Sequence, residues 1–299
     1  MTFADRLTGL VAARESQIVL GLDPDPSRLW PEALERAPAE GSAAQRAAAA
    51  VRAHCVALVD AAGPACVAVK PQLACFERLG AAGWDALQAV VDHARAAGLL
   101  VIADAKRGDV DVSAAAYAQA LVGATPTPFG AATGLGADAF TANPLLGVDA
   151  LEPFVAAARA AGAGIFVLVR TSNPGAADVE DLELASGGRV WERLAAIVDE
   201  LAGPGDGLSE IGAVVGATRP EHVARMRELM PRAPFLLPGI GAQGGRVEDL
   251  APAFAAGRAG GLVSASRSIA RAHEQRGGGP RDAARAEAER LRETAWSLT

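Results

Sequence analysis

Three charged residues, Asp104, Lys106 and Asp109, crowd into the stretch Val101-Ile-Ala-Asp-Ala-Lys-Arg-Gly-Asp-Val110. Residues 99 to 103 form an apolar run of strand length, so the charges gather at its C-terminal end. Side chains on a strand repeat every two residues. Asp104 and Lys106 should therefore share a face, whereas Asp109 lies beyond Gly108 and can aim elsewhere. An ammonium between carboxylates keeps its proton, because opposite charges within about 4–6 Å favour the charged form. Such a group can first attract an anion and then give up a proton. The plainer alternative is an ion-paired strand terminus leading into a helix.

Other residues with chemical potential also follow apolar runs. Lys70 ends the run Cys66-Val-Ala-Val69. A lone ammonium there is partly desolvated unless a carboxylate meets it, and Asp104 on the next strand is the natural partner; a snorkelling surface lysine is the alternative. Asp23 follows Ile18–Leu22 and could equally be a turn or cap residue. The loop Pro238-Gly-Ile-Gly-Ala-Gln-Gly-Gly245 is followed, one strand later, by Ser266-Arg267. Backbone N–H groups near Gly241, Gln243 and Gly244, a helix dipole and the Arg267 fork could converge on a phosphate, unless the loop is a plain flexible turn. Asn143 and Ser172 carry weaker signals, since Asn and Ser are routine in turns.

Eight strands are needed to hold these groups, and the pattern supplies them: Ile18–Leu22, Cys66–Val69, residues 99–103, Ala137–Ala142, Ile165–Val169, Ile211–Val215, Phe235–Leu237 and Gly261–Ala265, alternating with helical patterns. Polar residues follow nearly every strand, which points to one mouth and a single α/β domain, a (β/α)₈ TIM barrel over residues 1–299 with a charged helical tail from about 270. A doubly wound sheet would concentrate them at one or two switch points. The net charge of −7 argues against nucleic acid and anionic membranes as partners. The three cysteines, Cys55, Cys66 and Cys75, show no CxxC spacing and read as reduced core residues of a cytoplasmic protein. Neither a signal peptide nor an apolar run long enough to span a membrane is evident.

Asp104-x-Lys106-x-x-Asp109-Val110, with Lys70 on the preceding strand, resembles the signature of orotidine 5′-phosphate decarboxylases, and Lys70-Pro-Gln-x-x-x-Phe76-Glu77 looks like the type 2 subfamily. Asp23, Thr141-Ala-Asn143-Pro, Arg170-Thr-Ser172-Asn173-Pro-Gly, Pro238-Gly-Ile-Gly-Ala-Gln243-Gly-Gly and Ser266-Arg267-Ser follow in family order. The resemblance implies that Lys70, Asp104, Lys106 and Asp109 form a charged catalytic array, with Asp109 reaching the neighbouring subunit's site in a homodimer. It also implies that Asp23 and Ser113 hold the ribose, Ser172 the pyrimidine, and Gln243 with Arg267 the phosphate, with Asn143 and Pro238 also at the substrate. Asp111 departs from the family's usual small residue, and Ser113 from its usual Thr.

The implied reaction converts orotidine 5′-monophosphate (OMP) to uridine 5′-monophosphate (UMP) and CO₂. It needs no cofactor or metal, so stabilisation of the carbanion at C6 must be electrostatic. Two rivals remain: a metal-dependent sugar-phosphate decarboxylase or aldolase of the same superfamily, and a non-catalytic nucleotide-binding barrel. The first would carry a metal-ligating carboxylate where this chain has Lys70, and a cation cannot ligate Mg²⁺.

Overall fold

A computed structural model describes residues 1–241 and 244–299. Its eight barrel strands are β1 (Ile18–Leu22), β2 (Ala68–Pro71), β3 (Leu100–Arg107), β4 (Ala139–Ala142), β5 (Gly164–Arg170), β6 (Ile211–Val215), β7 (Phe235–Leu237) and β8 (Gly261–Ala265). All pair in parallel, each with its sequence neighbours, and β1 closes on β8. This is the (β/α)₈ barrel expected from the strand pattern. Strands buried on both faces explain the near-continuous Val, Ile, Leu and Ala.

The principal helices are α1 (Phe3–Arg14), α2 (Ala43–Ala62), α3 (Ala81–Ala96), α4 (Asp111–Leu121), α5 (Val148–Ala161), α6 (Val190–Ala202), α7 (Pro220–Leu229) and α8 (Pro280–Trp296). α2 starts at Ser42, whose hydroxyl accepts from the Gln45 N–H at 3.3 Å while Gln45 accepts from the Ser42 N–H at 2.8 Å. This reciprocal cap explains why the helix begins there. The segment after β7, Val247–Ala256, winds as a tighter 3₁₀ helix. The connection after α4 contains an antiparallel hairpin, Ala124–Thr127 with Gly130–Thr133, that the Gly- and Thr-rich sequence does not announce. α8 lays Ala284, Ala288, Leu291 and Ala295 into the core.

α1 closes one end of the barrel. Phe3, Leu7 and Val11 join the cluster that fills its interior, with Phe3 edge-on to Phe166 at 5.9 Å. Only the opposite end, where the strands terminate, remains open for chemistry, as in barrel enzymes generally. No helix among the described residues is long and apolar enough to cross a membrane. Cys55 and Cys66 are buried, Cys75 is half-buried, and all three are free thiols.

Candidate active site

The strand ends bring the charged residues together. Gly21 lies opposite Lys70 in the β1–β2 register, and Gln72 bridges to Asp104 just beyond β2. Lys70 therefore reaches Asp104 across neighbouring strands, as its sequence position suggests. β3 does not break at Asp104; it runs on to Arg107, with an irregularity against β4. From Ala103 to Arg107 the chain takes four steps (107 − 103) while β4 takes two from Phe140 to Ala142 (142 − 140). Such a bulge re-aims side chains. Lys106 sits within it at φ 47°, a left-handed conformation uncommon outside glycine, and its Nζ folds back onto Asp104.

Asp104 accepts four donors. Oδ2 receives Lys70 Nζ and, at 3.2 Å, Gln72 Nε2; Oδ1 receives Lys106 Nζ and, at 3.0 Å, Thr141 Oγ1. Thr141 Oγ1 in turn accepts the Lys106 N–H at 2.9 Å. Burial alone would raise the Asp104 carboxyl, but Lys70 and then Lys106 beside it hold it down at about 2. Burial would likewise lower Lys70, and Asp104 and Asp23 more than offset it, leaving its pKa raised. Both groups are thus ionised at neutral pH. The stability that Asp104 contributes is complete above its ordinary 3.8 and is lost as pH falls towards 2. The side chains of Lys70 and Asp104 are 8% and 7% exposed, against 43% for Lys106. Lys106 is therefore the member best placed to meet a substrate.

The neighbouring cleft is lined by Asp23, Lys70, Pro238, Ser266 and Arg267. Ser266 donates to Asp23 at 2.7 Å. This contact needs Gly21, because a Cβ there would lie 2.6 Å from that of Ser266. Gln243 lies outside the described residues; Gly241 and Gly244, on either side, both adopt positive φ. On the far rim, Ser172 packs against Gly216, where a Cβ would fall 3.0 Å from Ser172 Cα. Arg170 pins that rim through two 2.9 Å contacts to Asp181. Asn143 accepts from the Leu145 N–H at 3.0 Å, so its amide shapes its own turn.

Asp109 is not drawn into the array within its own chain. Its Oδ1 accepts from the adjacent Val110 N–H at 2.8 Å, and Ser113 is exposed on the first turn of α4. Asp111 has φ 47°, which accounts physically for a small residue at that position: glycine adopts it freely, and Asp is among the few side chains that tolerate it.

Two positioning residues escaped the reading of the sequence. Gln72 follows Lys70 at the strand period of two, which places both on one face. Thr141 is the lone hydroxyl in the buried strand Ala139–Ala142, and a buried hydroxyl requires partners. Thr141→Val should lower kcat by about 10- to 100-fold with little change in KM, since it leaves the Lys106 N–H without its acceptor and takes one of the four donors from Asp104 while keeping the shape. Thr141→Ser should recover most of the loss. Steady-state kinetics of both variants checks this, and equal defects would exclude the hydroxyl from positioning the array.

The arrangement offers an anionic ligand two fixed cations around one carboxylate, with a cleft running towards Arg267. The chain is similar over most of its length to known proteins. An orotidine 5′-phosphate decarboxylase from Deinococcus radiodurans is 43% identical over 287 residues, covering 95% of this chain and 94% of that protein. One from Rhodopirellula baltica is 41% identical over 281 residues, covering 92% and 90%. The structure of Leishmania donovani OMP decarboxylase superposes with a TM-score of 0.73 at 32% identity, covering 99% of both chains. The profile of the orotidine 5′-phosphate decarboxylase / HUMPS family spans residues 16–279, which takes in the whole array and the cleft beside it, and the chain belongs to that family.

Proposed function

We propose that the protein decarboxylates OMP to UMP in pyrimidine biosynthesis, without metal or cofactor, as a cytoplasmic homodimer of the type 2 subfamily. The observation that carries this reading is the pairing of Lys70 with Asp104. The side chain that β2 presents to the array is an ammonium, which cannot serve as a ligand to a divalent cation, so the sugar-phosphate chemistry of the wider family is disfavoured.

The roles follow from exposure and bonding. When the C6–carboxylate bond breaks, its electron pair stays on C6 in the ring plane, and CO₂ leaves. Lys106, exposed and held by Asp104, stabilises that pair and then transfers an Nζ proton to C6; solvent restores the ammonium. Asp104 presents negative charge where the substrate carboxylate departs. Lys70 offsets the burial of Asp104 and fixes its orientation. Asp23 and Ser113 address the ribose, Ser172, Asn143 and Pro238 the base and its surroundings, and Gln243 with Arg267 the phosphate.

The homodimer reading is supported by the edge that carries Asp109. Val110 and Val112 are 47% and 83% exposed there, and Leu145 and Leu146, after the neighbouring strand β4, are 76% and 53% exposed. Apolar side chains grouped in this way mark an association surface. A second copy seated on it would receive Asp109 and Ser113 in its own site.

Incubating the protein separately with OMP and with a hexulose phosphate plus Mg²⁺ tests the assignment. Loss of the orotidylate absorbance in the first alone is expected, and turnover of the sugar phosphate alone would replace it. Arg267→Ala should raise KM for OMP and also lower kcat, because binding energy at the phosphate is used to orient the reacting carbon. An unchanged kcat/KM would remove Arg267 from the site.

A further inference from the structure

A groove of about 610 Å³ opens beside the cleft and shares Arg267 and Gly241 with the loop and strand end assigned to the phosphate. Its remaining walls include Ser268, Arg271, Arg276 and Arg290. Arg271 follows Arg267 by one helical turn, its N–H donating to the Arg267 carbonyl at 3.0 Å, and both side chains line the groove. Neither guanidinium is ion-paired among the described residues. Across the groove a single carboxylate, Glu287, 9% exposed, receives Arg276 at 2.6 Å and Arg290 at 2.7 and 2.9 Å. One anion thus fixes two guanidiniums and leaves that wall positive. The other acid at the groove, Glu274, lies 3.8 Å from Arg28. The Ser268 hydroxyl is buried with no hydrogen-bond partner among the described residues.

A chain of net charge −7 therefore gathers four arginines against two carboxylates, directly beside the place assigned to a phosphate. Arg271, Arg276 and Arg290 have no part assigned in holding a nucleoside monophosphate at Arg267. We propose that the groove binds the distal phosphates of nucleoside di- and triphosphates whose first phosphate lies at Arg267, making them inhibitors competitive with the substrate. The inference rests on the reading of Arg267 as the phosphate anchor. Planar guanidinium forks suit phosphate oxygens, and a second phosphate on an already bound ligand is presented at high effective concentration.

Calorimetric titration with UMP, UDP, UTP and pyrophosphate, on the full-length wild type and on Arg271→Ala, tests it. UDP and UTP should bind about 5- to 10-fold tighter than UMP at low salt, the size expected of one or two partly exposed charge-assisted contacts, and the advantage should shrink as salt rises. Arg271→Ala should erase that advantage while leaving the affinity for UMP and kcat/KM for OMP within about twofold, because the residue touches neither the array nor the first phosphate. Arg276→Ala, verified as folded by its thermal melt, should act in the same direction. UMP binding with UDP and UTP no tighter, or an equal loss for all three ligands in Arg271→Ala, would overturn the groove assignment and leave the decarboxylase reading standing. Pyrophosphate binding as tightly as UTP would overturn the nucleotide assignment in favour of a free-phosphate site. Failure to bind UMP at all, together with no turnover of OMP, would instead remove the reading on which the inference rests.

Discussion

Lys106→Ala should lower kcat for OMP by about 10⁴-fold or more while leaving KM within about tenfold, a combination of lost proton transfer and lost electrostatic stabilisation. The geometry places both duties on one atom. Lys106 is the exposed cation of the array, its backbone is held in the left-handed region by the bulge in β3, and its ammonium rests on a carboxylate that three other groups hold in place. Truncation does not leave Asp104 stranded, because Lys70, Gln72 and Thr141 still donate to it. The fold should survive and the loss should fall on chemistry. Steady-state kinetics with a thermal melt decides the matter. A variant that melts like wild type and turns over within about tenfold of it would exclude Lys106 as the proton donor.

Mixing two inactive variants should restore activity. Asp109→Ala and Lys70→Ala homodimers should each be nearly inactive, the first lacking the carboxylate that crosses between subunits and the second the ion pair that holds Asp104. In a heterodimer, the site on the Asp109→Ala chain keeps its own Lys70 and borrows Asp109 from its partner; the other site lacks both. Unbiased exchange of equal amounts makes about half the dimers mixed, each with one of two sites competent, so about a quarter of wild-type activity should return. The basis is positional: among the described residues of one chain Asp109 bonds only the adjacent Val110 N–H, on an edge with exposed Val110 and Val112. No recovery after verified subunit exchange would mean that Asp109 serves its own chain, and the composite site would have to be abandoned.

The barrel was legible because its strands are buried on both faces, and a continuous apolar run gives its own boundaries. β1, β6, β7 and β8 begin and end at the residues the pattern selects. β3 was harder, since its last residues are charged and the bulge that keeps them in the strand has no signature in composition. Lys70 and Asp104 could be paired from strand adjacency alone. The face shared by Asp104 and Lys106 follows the period of two only through a turn of backbone at Lys106 that no periodicity announces. Thr141 and Gln72 reach Asp104 from different strands, and such contacts depend on register, which a single sequence does not display. The exposed hairpin after α4 was missed for the opposite reason: with no buried face, it leaves no alternating pattern to read.

The most direct measurement is the release of CO₂ from OMP by protein treated exhaustively with EDTA, followed together with the fall in orotidylate absorbance. One CO₂ for each UMP formed, at an undiminished rate, is the expected result, since Lys70, Asp104 and Lys106, completed by Asp109 of a second copy, supply the charges of the array without a metal. Turnover that is abolished by the chelator and returns with Mg²⁺ would contradict it.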